Sequence, residues 1–422
     1  MNQLQQRVRN IILLLLLILS FSLPLSTSVV TVSALLIIGC WFIEGEFENK
    51  WNEIRKNPVC IAVLIYIGIH LAGLYWSHNF FDGFLAINKQ WKIILLPVLI
   101  TSIQWDKRWW YITSYISGVS CVMILVYLVK YGIIHYNHLD AYGLLPLIEN
   151  QIVYTPMLAF ATYILYHQVL WGKINGLLRW ILLILAISMT CCVFMTKGRI
   201  GQVVFFVLMT LLTFQIFPKN FIKATLLTVF ILPIIFISAY KNSDIFNKRV
   251  NLIYQNITSF ERDPVTSIGL RLLFWKNSWI IINKSPWFGD GTGNFKNAYA
   301  KTVDHLSPVG ITDNPHNQYI LVTVQFGIFG LCGLLAIFLV QIYQSRKITD
   351  DWQRIRLAFP IFFLVIMTTD SYLNTHSSSF LFSLLSAIFF KKTPIEESGY
   401  KSLSLQIQKK DIEMGTVTQH NN

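Results

Sequence analysis

Long apolar runs separated by short polar turns dominate the chain. A helix that crosses a membrane needs about 20 mostly apolar residues, because the bilayer core offers the backbone no water. Runs of this kind predict helices near 11–26, 29–43, 59–76, 92–104, 111–132 and 151–172. Six more are predicted near 177–196, 200–217, 222–240, 317–343, 356–372 and 376–390, making twelve. The second and fourth are short and read as tilted, extended or partly re-entrant. The implied organisation is nine spans over 1–240, a long connection over 241–316 with short helices in it, three spans over 317–390, and a polar tail over 391–422. The first run, Ile11 to Ser26 behind Arg7 and Arg9, has the outline of a signal peptide. A second apolar run follows within a few residues and no small-residue cleavage site intervenes, so a retained first helix is expected.

Composition agrees with this pattern. Of 422 residues, 54% are hydrophobic and only 13% charged, whereas soluble chains carry about 25% charged residues. The mean hydropathy is +0.52. These values exclude disorder, a disulfide scaffold and an ordinary cytosolic enzyme, and they define the fold class as an all-α polytopic membrane protein embedded in lipid. Lys and Arg number 34 against 21 Asp and Glu, a net +13. A nucleic-acid binder can share that charge but not so low a charged fraction, so no nucleic-acid partner is expected. With the N-terminus cytoplasmic, inner segments hold 20 of the cations and short outer ones hold 5, namely Lys89, Lys92, Lys130, Lys197 and Arg199. The other 9 lie in 241–316, which is too long for the positive-inside rule to govern. Both termini are therefore expected in the cytoplasm.

The six cysteines, Cys40, Cys60, Cys121, Cys191, Cys192 and Cys332, all fall in spans without metal-ligand spacing and read as buried packing residues. Helix interiors are nearly free of ionisable groups. His70 and His167 are the exceptions and read as hydrogen-bonded packing residues; Lys130, Arg179, Lys223, Arg356, Asp370 and His376 lie near helix ends, where long side chains snorkel. Transporters place charge near the midplane, so this distribution weakens a transporter reading.

The polar chemistry lies in three outer stretches. Thr196-Lys197-Gly198-Arg199 puts two cations and a glycine at a helix N-terminus, a setting that favours an anion; the same residues also read as interfacial charges. Residues 267–284 are apolar enough to lie along the membrane surface, with Trp275 and Trp279 at headgroup depth. Arg271 then either grips a phosphate with its fork of donors or is a plain surface arginine. The following Gly289-x-Gly291-x-x-Asn294 fails the dinucleotide fingerprint at its last position and follows no strand. Third, Asp313-Asn-Pro-His316-Asn317-Gln318 runs straight into an apolar helix. Imidazole titrates near neutrality and suits a general base, although a capping turn would use the same residue types; His305 and Asp304 are rival bases. Two arginines beside a histidine suggest a diphosphate held next to a base, as in group transfer from a phosphorylated lipid.

At this point the chain resembles the bacterial O-antigen ligase and polymerase superfamily of polytopic glycosyltransferases. The family's motif is His, then Asn, Ser or Gln, nine residues, Gly, two residues and often Gly; His316-Asn317, Gln318 to Phe326 and Gly327-Ile-Phe-Gly330 fit it throughout. Arg199 fits an Arg-x-x-x-Leu element except that Val203 replaces Leu. Arg271 with Trp275, Pro286, Gly289, Gly291 and Phe295 is similar to the family's loop segment, and the likeness covers roughly 10–390. The resemblance implies an undecaprenyl-diphosphate-linked glycan as donor, with Arg199 and Arg271 on its diphosphate. His316 would deprotonate the acceptor hydroxyl, and a single displacement would invert the anomeric carbon. Lys197, Asn317, Gln318, Trp275 and Asn294 are expected to contact substrate. The resemblance implies no cofactor, nucleotide or metal. It implies the bacterial inner membrane, with the site on the periplasmic face. Ligases transfer finished polymer to lipid A–core oligosaccharide, polymerases join repeat units, and a third branch glycosylates proteins, usually with a larger soluble C-terminal region than the 32 residues found here. The expected function is O-antigen ligase in lipopolysaccharide biosynthesis; the alternatives are a polymerase or, in another class, a polysaccharide or lipid transporter.

Overall fold

The computed structural model describes residues 3–134, 150–258, 266–303 and 310–392. All regular structure among them is helical. Helices α1 (Gln3–Ser22) and α2 (Thr27–Glu44) form a hairpin. Helix α3 (Phe47–Lys56) meets α4 (Pro58–Ala72) at 86°. Asn57-Pro58 makes that corner: the Asn57 side chain accepts the N–H groups of Val59 and Cys60, and proline fills the first helical position, where an N–H would have no partner. Next come α5 (Phe80–Lys89), α6 (Trp91–Ile94), α7 (Leu96–Ser102), α8 (Arg108–Lys130), α9 (Gln151–Trp171) and α10 (Gly176–Met195). Helices α11 (Arg199–Ile216) and α12 (Phe221–Asn242) lead into α13 (Asp244–Thr258), α14 (Ser267–Lys284) and α15 (Phe295–Ala300). The chain closes with α16 (Gln318–Lys347), α17 (Gln353–Ile366) and α18 (His376–Phe390).

Seven helices among the described residues are long and apolar enough to cross a membrane, or up to nine if each of two bent pairs counts as one span. The expected twelve is not reached on length and composition, and the shortfall lies in α9, α17 and α18. Helix α9 is long enough but carries Gln151, Thr155, Thr162, Tyr163, His167 and Gln168; α17 and α18 have only 14 and 15 residues. These are also the enclosed helices, with every residue of α18 from Ser377 to Phe390 buried. A helix wrapped by protein is released from the need for an apolar outer surface. Helix α12 is the opposite case, with only Ala224 buried and an apolar exterior all round.

Two expectations about single residues are corrected. Arg356 does not snorkel: it is fully buried, donating to the carbonyls of Phe389 and Ile348 and to Asp350 at 2.8 Å. Arg356→Ala should cost roughly 1–3 kcal/mol for each of the two buried carbonyls it leaves without a donor, while Asp350 keeps Arg108 at 3.8 Å, and thermal unfolding of the detergent-solubilised variant measures that loss. Of the cysteines only Cys60 and Cys192 are buried, whereas Cys191 and Cys332 sit on outward faces.

Helix α16 is broken at Gly327, which has φ +61°. The break bares carbonyls that the preceding loop uses: Asp290 N–H donates to Val324 and Gly291 N–H to Gln325, while Ile328 N–H reaches back to the Pro286 carbonyl. The loop also joins α4 through Thr292, whose hydroxyl donates to the His70 carbonyl at 2.6 Å. A Cβ at Gly327 would fall 2.2 Å from the Trp287 carbonyl carbon. Gly327→Ala should therefore cost roughly 1–3 kcal/mol from backbone strain alone, and should show as faster proteolysis between α14 and α15. The glycines at 289, 291 and 327 thus fit a loop docked on a helix break rather than a nucleotide.

Candidate functional site

The turn before α11 is set against the start of α9. Gly198 and Gly201 pack so closely on Thr155 that a Cβ at either would lie 2.4 or 2.2 Å from it. The Gln151 side chain accepts the Lys197 N–H at 2.7 Å, and the Thr155 hydroxyl donates to Thr196 at 3.0 Å. This fixes Arg199 at the first position of α11, whose N-terminus has no side-chain cap. Arg199 donates to the Ser267 hydroxyl at 3.4 Å, and its buried Nε has no partner among the described residues.

His316 lies in a second built turn and adopts φ +51°, a left-handed conformation uncommon for a non-glycine residue. Its N–H donates to the Asn314 side chain at 2.9 Å. Asn317 caps α16 by accepting the N–H groups of Tyr319 and Ile320, and it donates to the Thr368 carbonyl. The Gln318 N–H reaches the Met367 carbonyl, and its side-chain oxygen accepts Leu373 N–H at 3.1 Å. Both amides therefore tie the His316 turn to the segment between α17 and α18.

That segment supplies a residue the sequence reading missed as chemistry. Asp370 Oδ1 lies 3.3 Å from His316 Nδ1. The same oxygen accepts the Asn314 amide at 3.0 Å and the Ser371 N–H at 2.7 Å. Burial pushes the Asp370 carboxyl up, but the hydrogen bond and charge of His316, with the Ser371 and Asn314 donors, outweigh it and hold it below the usual carboxylate range. An ionised acceptor beside Nδ1 puts the proton there and leaves Nε2 free to take another. His316 is 38% exposed, so Nε2 can be reached.

Helix α14 connects the two turns. Phe274 stacks on His316 with centroids 6.2 Å apart, and the Trp275 indole donates to the Pro315 carbonyl at 3.0 Å. Arg271 lies one turn earlier on that face, and its charge is felt at Tyr372. Arg199 is within electrostatic reach of both Arg271 and Arg249. Arg249, on α13, is a second residue the sequence reading did not single out. Arg199 thus has two like-charged neighbours, none of the three arginines forms an ion pair among the described residues, and α14 carries Arg271 one turn before the residues that pack on the carboxylate-oriented imidazole.

Two other expected contact residues are tied into the fold, Asn294 in the docked loop and Lys197 in the Arg199 turn. Asn294 is fully buried, and its amide donates to Asp290, so it braces the docked loop. Lys197 is fixed through its backbone N–H. His305 and Asp304 lie outside the described residues. Among the described residues no group of three or more His, Cys, Asp or Glu is placed to hold a metal.

Residues 181–335 match the family model described as O-antigen ligase. The match runs from α10 into α16 and takes in Arg199, Arg249, Arg271, His316 and the Gly327 break. A protein of Haemophilus influenzae described as uncharacterized is 31% identical over 137 residues, which is 31% of this chain and 34% of that protein. The matched region thus spans about a third of that relative. The chain is an all-α polytopic membrane protein in which part of the sequence carries an O-antigen ligase family match.

Proposed function

We propose that the protein is an inverting glycosyltransferase of the bacterial inner membrane that transfers O-antigen polysaccharide from undecaprenyl diphosphate to a hydroxyl of lipid A–core oligosaccharide. What carries the reading is α14, which packs Phe274 and Trp275 on the turn of the His316–Asp370 pair and also carries Arg271, within electrostatic reach of Arg199, whose buried Nε has no partner among the described residues. Nε2 of His316 takes the proton of the acceptor hydroxyl as that oxygen attacks the anomeric carbon. The bond from this carbon to the diphosphate oxygen breaks, and the diphosphate leaves with the electron pair. Asp370 steadies the resulting imidazolium, while Arg199 and Arg271, helped by Arg249, bind the growing negative charge. Both termini lie in the cytoplasm and the site faces the periplasm, in keeping with the distribution of cations.

The test is reconstitution of the full chain in vesicles with lipid-linked glycan and lipid A–core, without nucleotide. The expected result is polymer attached to core with release of undecaprenyl diphosphate. Growth of the lipid-linked glycan with core untouched would make the protein a polymerase, and movement of glycan without a new glycosidic bond would make it a transporter; either overturns the proposal.

A further inference from the structure

A cleft of about 730 Å³ opens between α8, α9 and α10, at the C-terminal end of α9. The Arg199 turn packs on the other end of that helix, whose 21 residues span about 30 Å. None of Arg199, Arg271, His316 and Asp370 lines the cleft. On α8 the lining runs from Trp109 to Cys121, about 18 Å at 1.5 Å per residue. One leaflet's share of the hydrocarbon core is similar, about 15 Å. Ile116, Leu165, Leu178, Leu182 and Leu185 make the walls apolar, while Thr113, Ser117 and Ser120 line it from one face of α8.

The end near α9's C-terminus is polar. His167, which lines it, is 2% exposed. The Gln168 amide donates to its Nδ1 at 3.4 Å, so Nε2 of the neutral ring carries the hydrogen. That Nε2 is buried with no partner among the described residues. A buried donor without an acceptor is costly, and an ester oxygen of a lipid would supply one. Lys173 also lines this end, but Asp351 neutralises it at 3.1 Å, and Asp350 is taken by Arg356 and Arg108. The excess charge comes from two arginines beside lining residues. Arg179 donates to the Gly172 carbonyl at 3.2 Å, and the Arg354 guanidinium lies 4.4 Å from the Trp171 ring centroid. Neither forms an ion pair among the described residues. An apolar shaft one leaflet deep with two such cations at its mouth complements an acyl chain below an anionic headgroup.

We propose that this cleft binds one anionic glycerophospholipid of the leaflet opposite the candidate site. An acyl chain lies between α8 and α10, an ester oxygen accepts from His167, and the phosphate meets Arg179 and Arg354. The full chain in detergent is titrated with phosphatidylglycerol or with phosphatidylcholine of the same acyl chains, and bound lipid is counted by native mass spectrometry. Phosphatidylglycerol should fill one site at the lower concentration. Arg179→Gln with Arg354→Gln should weaken it about fivefold per arginine, the weight of one cation near an anionic headgroup, and leave phosphatidylcholine unchanged. Ser117→Trp, which intrudes into the shaft, and His167→Phe, which keeps a ring but no donor, should each weaken both lipids. Equal binding of the two lipids, or a phosphatidylglycerol affinity unmoved by the arginine pair or by both Ser117→Trp and His167→Phe, overturns the proposal. So does tighter binding of undecaprenyl phosphate at the same site, which would assign the cleft to a prenyl chain.

Discussion

Replacing His316 by Ala should lower the initial rate of glycan transfer by roughly 10²–10⁴, the range for loss of a positioned general base. The chain should still insert and fold, because the imidazole contributes little packing: it is 38% exposed and its ring contact is a 6.2 Å stack on Phe274. Asp370→Asn should be smaller in effect but act through the same step. The amide oxygen at 370 can still accept the Asn314 and Ser371 donors, so the turn persists while the charge that stabilises the imidazolium is lost. Because the two groups act as a unit, the double variant should be no slower than His316→Ala alone. Initial rates in the reconstituted system measure all three. Full transfer by His316→Ala would remove the base from the mechanism, and strictly additive losses would mean that Asp370 acts independently of it.

The difference between His316 and Asp370 shows what could be read in the sequence. His316 stood out because its spacing to Gly327 is local, and the structure supplies a reason for that glycine: a broken helix whose bared carbonyls receive the docked loop. Asp370 is 54 residues further on, at the end of an apolar run, and only the folding of α17 against α16 brings it to the imidazole. Arg249 was hidden for another reason. It is one of nine cations in 241–316, and residue type alone does not separate a clustered arginine from a solvated one. Polarity also misled in the membrane part. Arg356 near a helix end reads as snorkelling, yet it is enclosed with Asp350, and α9, α17 and α18 lose apolar length because other helices shield them. The outer helices, where lipid makes the demand, follow the hydropathy pattern; the inner ones follow packing.

The second large effect is expected at the arginines, where stability and activity should move separately. Arg199→Gln and Arg271→Gln should each slow transfer by about 10²–10³, or about 2.7–4 kcal/mol, by the precedent of removing one fixed donor from a developing negative charge. Arg→Lys keeps the charge without the planar fork and should recover only part of the rate. Among the described residues the resting fold has little to lose at Arg199 beyond a 3.4 Å hydrogen bond to Ser267: its Nε has no partner there and its charged neighbours are Arg249 and Arg271. Arg199→Gln relieves like-charge crowding, so its melting temperature should equal or exceed that of the wild type, the trade between stability and function seen at preorganised sites. Inorganic diphosphate should raise the wild-type melting temperature by mass action and leave the double Arg199→Gln, Arg271→Gln variant unmoved. If the variants transfer glycan at the wild-type rate, or diphosphate stabilises wild type and variant equally, the arginines are interfacial charges and the leaving group is bound elsewhere.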